Sequence, residues 1–341
     1  MSNEELILKL VKLQGSYFEI GVQQGEELLT SVASENQEML KKMTAHSKYE
    51  KSEKWLEQIS PSILEEIKGL AKGARMNIPH AIRLYSGYDM EFPTMGCTSF
   101  VSNGMYVRNY DFSPDFYDSR LVFMKPKGGY ASVGFSQQII GRLDGMNEKG
   151  LVVGLHFVNN EERKEGFMAT TIVRILLDNC KNVEEAIELI EKIPHAYCYN
   201  YSMTDSSGKG VVVEAASNNI HINIDKQITC TNHFEAHRLK EKNRKDIQSS
   251  ILRKTYLNEL LTKTLSKNQL YHQFNDGKSP LFFNYYKQYF GTLHTVIYSP
   301  QDLSITFGVG ENCKPYTVKL LDFINQNISL PSSIRGEIRQ Q

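Results

Sequence analysis

Apolar and polar positions follow two different periods along this chain, and the change falls near residue 96. Leu6 to Leu13 alternates in steps of two, which predicts a strand. After Ser16 the run YFEIGVQQGEELLTSVASENQEMLKKM spaces its apolar residues by three and four, which predicts an amphipathic helix. Ser60 and Pro61 launch a second helix, SPSILEEIKGLAKGAR, because proline suits the first helical turn. From Cys97 onward the period becomes two. CTSFVS, MYVRNY, YASVGFS, LVVGLHFV, VVVEAAS, HINI, QITCTN, TLHTVIYS and LSITFGV read as strands, punctuated by DGMNEKG, DSSGKG and SPQD. Helical patterns over Ala169 to Cys180, Val183 to Ile193 and about Ile247 to Lys263 lie between groups of strands. No repeat, low-complexity tract or Pro/Gly/Ser-rich linker splits the chain. The expectation is an α+β fold with helices packed on sheets, its mainly helical residues 1–96 integrated with the strand-rich residues 97–341.

Charge and cysteine usage narrow the classes. The 39 Lys and Arg balance 39 Asp and Glu over 341 residues. The general attraction that nucleic acid or an anionic membrane needs is therefore missing. Five cysteines, an odd number without a C-x-x-C pair, argue against a disulfide scaffold or zinc ribbon and for a reducing compartment. The start, MSNEELILKLVKLQG, carries acids where a secretory leader needs positive charge, and no stretch approaches the roughly eighteen uncharged apolar residues of a membrane span. A cytoplasmic protein with no membrane partner is expected.

One hairpin draws attention for its chemistry. Asn103-Gly104 between CTSFVS and MYVRNY signals a type I′ turn, which needs positive φ at both central residues. With those two as the turn, Ser99 faces Arg108 and Cys97 faces Tyr110. Cys97 and Arg108 become diagonal neighbours on one face, about 7–8 Å apart and within reach of a guanidinium. An adjacent cation lowers a thiol's pKa and raises its thiolate fraction. Asp111 falls on the other face, so joining Cys97 requires a bulge or the strand end. A free cysteine is commonly just a small buried hydrophobe, and this geometry alone leaves both roles open.

The segments Gly96-Cys97-Thr98-Ser99-Phe100 and Val107-Arg108-Asn109-Tyr110-Asp111-Phe112 resemble the nucleophile region of N-terminal-nucleophile cysteine hydrolases, nearest to the acyl-coenzyme A:isopenicillin N acyltransferase family. Penicillin V acylases, bile salt hydrolases and the acid ceramidase group are further relatives. The resemblance runs through GSYFEIGVQQGEEL, ILEEIKGLAKGARM, DGMNEKGLVVGLHF, TCTNHFEAHR, SSILRKTYLNELL and TLHTVIYSPQDLSITFGVG, in that order. It implies a four-layer αββα sandwich and an inactive precursor that cuts itself between Gly96 and Cys97, leaving 1–96 as prosegment and then α chain. The freed α-amine, with an ordinary pKa of about 7.7–8.0, would serve as the nucleophile's own base. By the same resemblance Arg108 positions the thiol, Asp111 orients the α-ammonium, Asn232 donates to the oxyanion and Arg253 is a further active-site arginine. His156 stands where bile salt hydrolases and penicillin V acylases carry asparagine. An oxyanion contact there can come from its backbone, and a bile salt or penicillin V specialist is disfavoured. The implied activity is acyl transfer from an N-acyl amide or acyl-thioester through Cys97 to water or an amine.

Other readings carry less. His233 and His237 are four apart, but Phe234 occupies the place where a zinc helix needs glutamate. The C-G-S-C-W signature of papain-like proteases is absent after Cys97. The basic run His237 to Lys245 reads as a solvated face rather than an anion site. The aromatic cluster FFNYYKQYF, 282–290, fits an acyl pocket, core or subunit contact equally. GVGENC is no dinucleotide fingerprint, so no cofactor and no metal are implied. Assembly into a homo-oligomer stays open. The competing reading from another class is an uncleaved, inactive fold relative that acts as a binding or scaffold protein.

Overall fold

The computed structural model describes residues 3–30, 34–93, 95–159, 161–288 and 290–339. Among them, two sheets face one another across a shared core. From edge to edge the larger sheet runs Asn219–Asp225, Gly210–Ala216, Cys198–Thr204, Val152–Asn159, Gly141–Asn147, Ser132–Gln137, Arg120–Pro126, Asn3–Gly15 and Ser333–Arg339. The smaller runs Ile228–Cys230, Gly96–Ser102, Met105–Phe112, Phe290–Ser299, Ser304–Val309 and Tyr316–Lys319, with Asn284–Tyr285 beside Phe290–Ser299. Strand Asn3–Gly15 pairs parallel with Arg120–Pro126 and antiparallel with Ser333–Arg339, so the first part of the chain is stitched into the sheet of the second.

Helices cover both outer faces. Ala169–Asn179 packs on strands Gly141–Asn147 and Val152–Asn159. Tyr17–Thr30 and Pro61–Gly73 cross closely, because a Cβ at Gly21 or Gly69 would overlap the backbone of the opposite helix. Buried Arg174 then joins this pair to Ala169–Asn179, with its Nη2 2.5 Å from Glu66 Oε2 and its Nε 3.0 Å from Asp178 Oδ1. On the far side Gln248–Leu261 and Lys267–Asn275 bury Leu257, Leu260, Leu270 and Phe274 against Phe100, Val107 and Ile297 of the smaller sheet. The order helices, sheet, sheet, helices is the expected αββα sandwich. No described helix is long and apolar enough to cross a membrane.

Some elements differ from the sequence expectation. The run after Ser16 gives two helices, Tyr17–Thr30 and Ser34–Met43, and its residues 31–33 lie outside the described ones. Helix Tyr49–Ile59 was not anticipated: its sequence YEKSEKWLEQI buries only Ser52 and Leu56, too few for a clear period. Asp144–Asn147 of DGMNEKG is strand rather than turn, fully buried because partners elsewhere satisfy its polar groups.

Candidate active site

The hairpin forms in the expected register. Asn103 has φ 52 and Gly104 φ 70, and Cys97 pairs with Tyr110, Ser99 with Arg108 and Gly96 with Asp111. Positive φ at both turn positions matches the right-handed strand twist, which locks the register.

On the face toward the larger sheet, Arg108 Nη2 donates to Cys97 Sγ at 3.0 Å. Its Nε donates to Asp144 Oδ2 at 2.9 Å and its Nη1 lies 3.3 Å from His156 Nε2. Asp144 also accepts from Tyr298 Oη at 2.6 Å and from His294 Nε2 at 3.2 Å. The His294 ring stacks on Phe135 with centroids 3.6 Å apart, and Tyr117 Oη lies 2.8 Å from its Nδ1. Burial pushes Asp144 up, but His294, Arg108 and Tyr298 together hold it below the ordinary carboxylate range. Burial also keeps His294 and His156 neutral, His156 well below its usual pKa. Because Arg108 can only donate, His156 Nε2 is the acceptor and Nδ1 carries the proton. That Nδ1 is buried and makes no hydrogen bond of good geometry, although the Cys97 backbone lies close enough to the ring to favour its protonated form.

The thiol corrects one expectation. Arg108 does lower its pKa, but Cys97 is wholly buried, and burial prevails, pushing the thiol up to about 11. In the intact chain it is a neutral, desolvated thiol.

The opposite face holds the peptide that leads into Cys97. Arg253, from helix Gln248–Leu261, donates through Nη1 to the Cys97 carbonyl at 2.8 Å and through Nη2 to Asn232 Oδ1 at 2.9 Å. Asn232 Oδ1 also accepts from the Cys97 N–H at 2.9 Å, so two donors fix that amide's orientation. Its Nδ2 is spent on the Phe157 carbonyl at 2.9 Å, not free for an oxyanion. Asp111 lies on this face as expected and reaches the site through the strand end, opposite Gly96. Its Oδ1 accepts from Thr292 Oγ1 at 2.6 Å, while its Oδ2 is buried without a partner. Burial, opposed by Arg253, Thr292 and Arg108, raises Asp111 to about 6. Gly96 is not at positive φ; glycine is needed here for close approach, since a Cβ would sit 2.7 Å from Phe290 Cζ and 3.2 Å from Asp111 Oδ2.

The structure thus gathers Cys97, Arg108, His156, Asn232 and Arg253 in one hydrogen-bonded group, with Asp111 one strand pair away. It adds Asp144, His294 and Tyr298, which no local pattern signalled. Of the aromatic cluster, Phe283 lies under Arg253 at 5.0 Å and Phe290 abuts Gly96, whereas Tyr285 is exposed and Tyr289 lies outside the described residues. No described group of three or more His, Cys, Asp or Glu is arranged to hold a metal.

Facing sheets clad in helices bury a cysteine and its arginine between them, and the family to which the sequence belongs makes this an amidohydrolase or acyltransferase of the N-terminal-nucleophile type. The chain belongs to the acyl-coenzyme A:6-aminopenicillanic acid acyl-transferase family, whose sequence model matches residues 100–314. That match includes Arg108, Asp111, His156, Asn232 and Arg253 and begins just after Cys97. Among solved structures the chain is similar to the conjugated bile acid hydrolase of Clostridium perfringens (14% identity, 66% of this chain and 93% of that one, TM-score 0.47). It is also similar to the penicillin V acylase of Agrobacterium tumefaciens (13%, 66% and 86%, 0.36). A third is the N-acylethanolamine-hydrolyzing acid amidase ortholog of Caenorhabditis elegans (14%, 60% and 93%, 0.34). No curated protein matches the sequence.

Proposed function

We propose that Cys97 is an autoactivating nucleophile and that the mature protein moves acyl groups from N-acyl amides or acyl-thioesters to water or an amine. The supporting observation is that the Cys97 thiol, N–H and carbonyl are each held by a separate side chain: Arg108, Asn232 and Arg253. In the activating step Sγ attacks the Gly96 carbonyl carbon, the Gly96–Cys97 C–N bond breaks, and the thiol proton ends on the released nitrogen. Water then hydrolyses the thioester to a Gly96 carboxylate and restores the thiol. The new carboxylate forms beside Asp111, which competes with it for the α-ammonium, and this favours release of the cut end and exposure of Cys97. The pieces stay together, because strand Asn3–Gly15 remains in the larger sheet and Glu66 remains on Arg174.

In turnover the α-amine takes the thiol proton, and Sγ attacks the acyl carbonyl beside Arg108. The leaving amine then receives the proton, and the acyl-thioester passes to water or a second amine. Asp111 Oδ2 accepts from the α-ammonium, which has protons beyond the one given to Asn232. The oxyanion is met by the His156 Nδ1–H and by Asn232 Nδ2, once that amide exchanges the Phe157 carbonyl for substrate. The deciding experiment is the intact mass of freshly purified wild type beside Cys97→Ala, followed by a screen of N-acyl amides and acyl-thioesters. Cleavage after Gly96 in wild type alone supports this reading. Two uncut chains after long incubation would instead favour a binding or scaffold protein.

A further inference from the structure

The basic run His237 to Lys245 is only partly the solvated face its composition suggests. Lys242 pairs with Glu162 at the surface, 2.7 Å away. Lys240, Arg244 and Lys245 instead line a cleft of about 520 Å³, together with His233, Phe234 and Ile247. The lining acid, Glu235, is held by Lys254 at 2.6 Å, and Asp246, which accepts from the Gln248 N–H at 3.0 Å, offsets part of the Arg244 charge without a hydrogen bond to it. Burial lowers the pKa of His233, which makes it a neutral wall at pH 7.

Arg244 is the unusual member. It is half-buried, its Nε is inaccessible and unpartnered, and its guanidinium makes no hydrogen bond to any described residue. A desolvated N–H without an acceptor costs free energy that a bound anion recovers. The cleft is one side chain from the nucleophile. His233 lines it, the adjacent Asn232 holds the Cys97 N–H, and Ser250 Oγ bonds both, at 2.8 Å to Asn232 N and 2.8 Å to His233 Nδ1. Ile251 lines the cleft from the helix whose Arg253 holds the Cys97 carbonyl.

We propose that this cleft receives the amine half of the substrate and that Arg244 pairs with a carboxylate on it, so that N-acyl amino acids are preferred over neutral N-acyl amines. The assignment rests on Cys97 being the nucleophile of the proposed function. The amine half belongs on this side because Asn232 marks the Cys97 nitrogen, which passes a proton to the leaving amine, and the open cleft gives that amine an exit. The planar guanidinium fork matches a carboxylate in two parallel hydrogen bonds, Lys240 and Lys245 add attraction, and Ile247 and the exposed Ile251 supply apolar contact for a short side chain.

The test uses N-acetyl, N-phenylacetyl and N-decanoyl glycine against the corresponding glycinamides, which match them in shape but carry no charge. For wild type the expected kcat/KM ratio of carboxylate to carboxamide is about ten- to hundredfold, the worth of one charge-assisted contact. Arg244→Gln should bring that ratio close to one, mainly through KM, and Arg244→Lys should restore part of it. A ratio near one in wild type, or one that survives Arg244→Gln, overturns the proposal. If wild type turns over none of the six compounds, the failure belongs to the nucleophile reading, and the subsite is read by calorimetric binding of the same compounds to the wild-type protein. Tighter binding of an acylglycine than of its glycinamide, lost on adding Arg244→Gln, supports the subsite; equal binding overturns it.

Discussion

Two aspartates, Asp111 and Asp144, are buried on opposite sides of the same hairpin, and their pKa values move in opposite directions. Asp144 accepts from Arg108, Tyr298 and His294 and is held below the usual carboxylate range despite its burial. Asp111 accepts from Thr292 alone, and burial raises it to about 6. Burial penalises both charges alike, so the number and kind of donors decides the direction in which each carboxylate's pKa moves. Asp144 fixes Arg108 against the thiol. Asp111 keeps an unpartnered oxygen beside the Gly96–Cys97 peptide, as the proposed cleavage, whose α-ammonium would pair with it, requires.

The largest effect is expected at the group that both sides serve. Cys97→Ala should abolish cleavage and turnover outright, read as a single species of 39.0 kDa by mass spectrometry. On the Asp144 side, Arg108→Ala leaves a buried carboxylate without its cation and should cost about 3–5 kcal/mol of stability. Equilibrium urea unfolding checks this, and a loss below 1 kcal/mol would mean that His294 and Tyr298 suffice for Asp144.

On the Asp111 side the sign reverses. A folded-state pKa near 6 against an ordinary value of 3.8 means that the folded chain binds the proton more tightly than the unfolded one. The stability this gives is complete below about pH 4 and is lost as pH rises through about 6, at most about 3 kcal/mol. Asp111→Asn should flatten that slope, leave the chain more stable than wild type at pH 8, and slow turnover. Urea midpoints at pH 4 and pH 8, with and without Asp111→Asn in a chain kept whole by Cys97→Ala, test the slope; an unchanged slope would remove Asp111 as its source. The smallest effect is expected for Gly96→Ala. Its methyl must displace the Phe290 ring, for about 1–3 kcal/mol and slower cleavage, read by melting temperature and a mass time course.

Much of this was legible along the chain because it depends on near neighbours. The Asn103-Gly104 turn fixes the hairpin register, the register puts Cys97 and Arg108 on one face and Asp111 on the other, and the helices over 61–73, 169–179 and 248–261 follow from apolar spacing. Asn232 and Arg253 were reached by family resemblance, since nothing local distinguishes them from a turn residue and a helix charge. The Asp144 network was invisible: His294 and Tyr298 lie 150 and 154 residues from Asp144, in the opposite sheet, and DGMN by itself spells a turn. The sequence by itself therefore determined the hairpin and the side of it on which each reactive group stands, because backbone pairing is set by turn chemistry and alternation. Only the tertiary structure decided how each group's pKa is shifted, because that depends on burial and on donors delivered from distant strands.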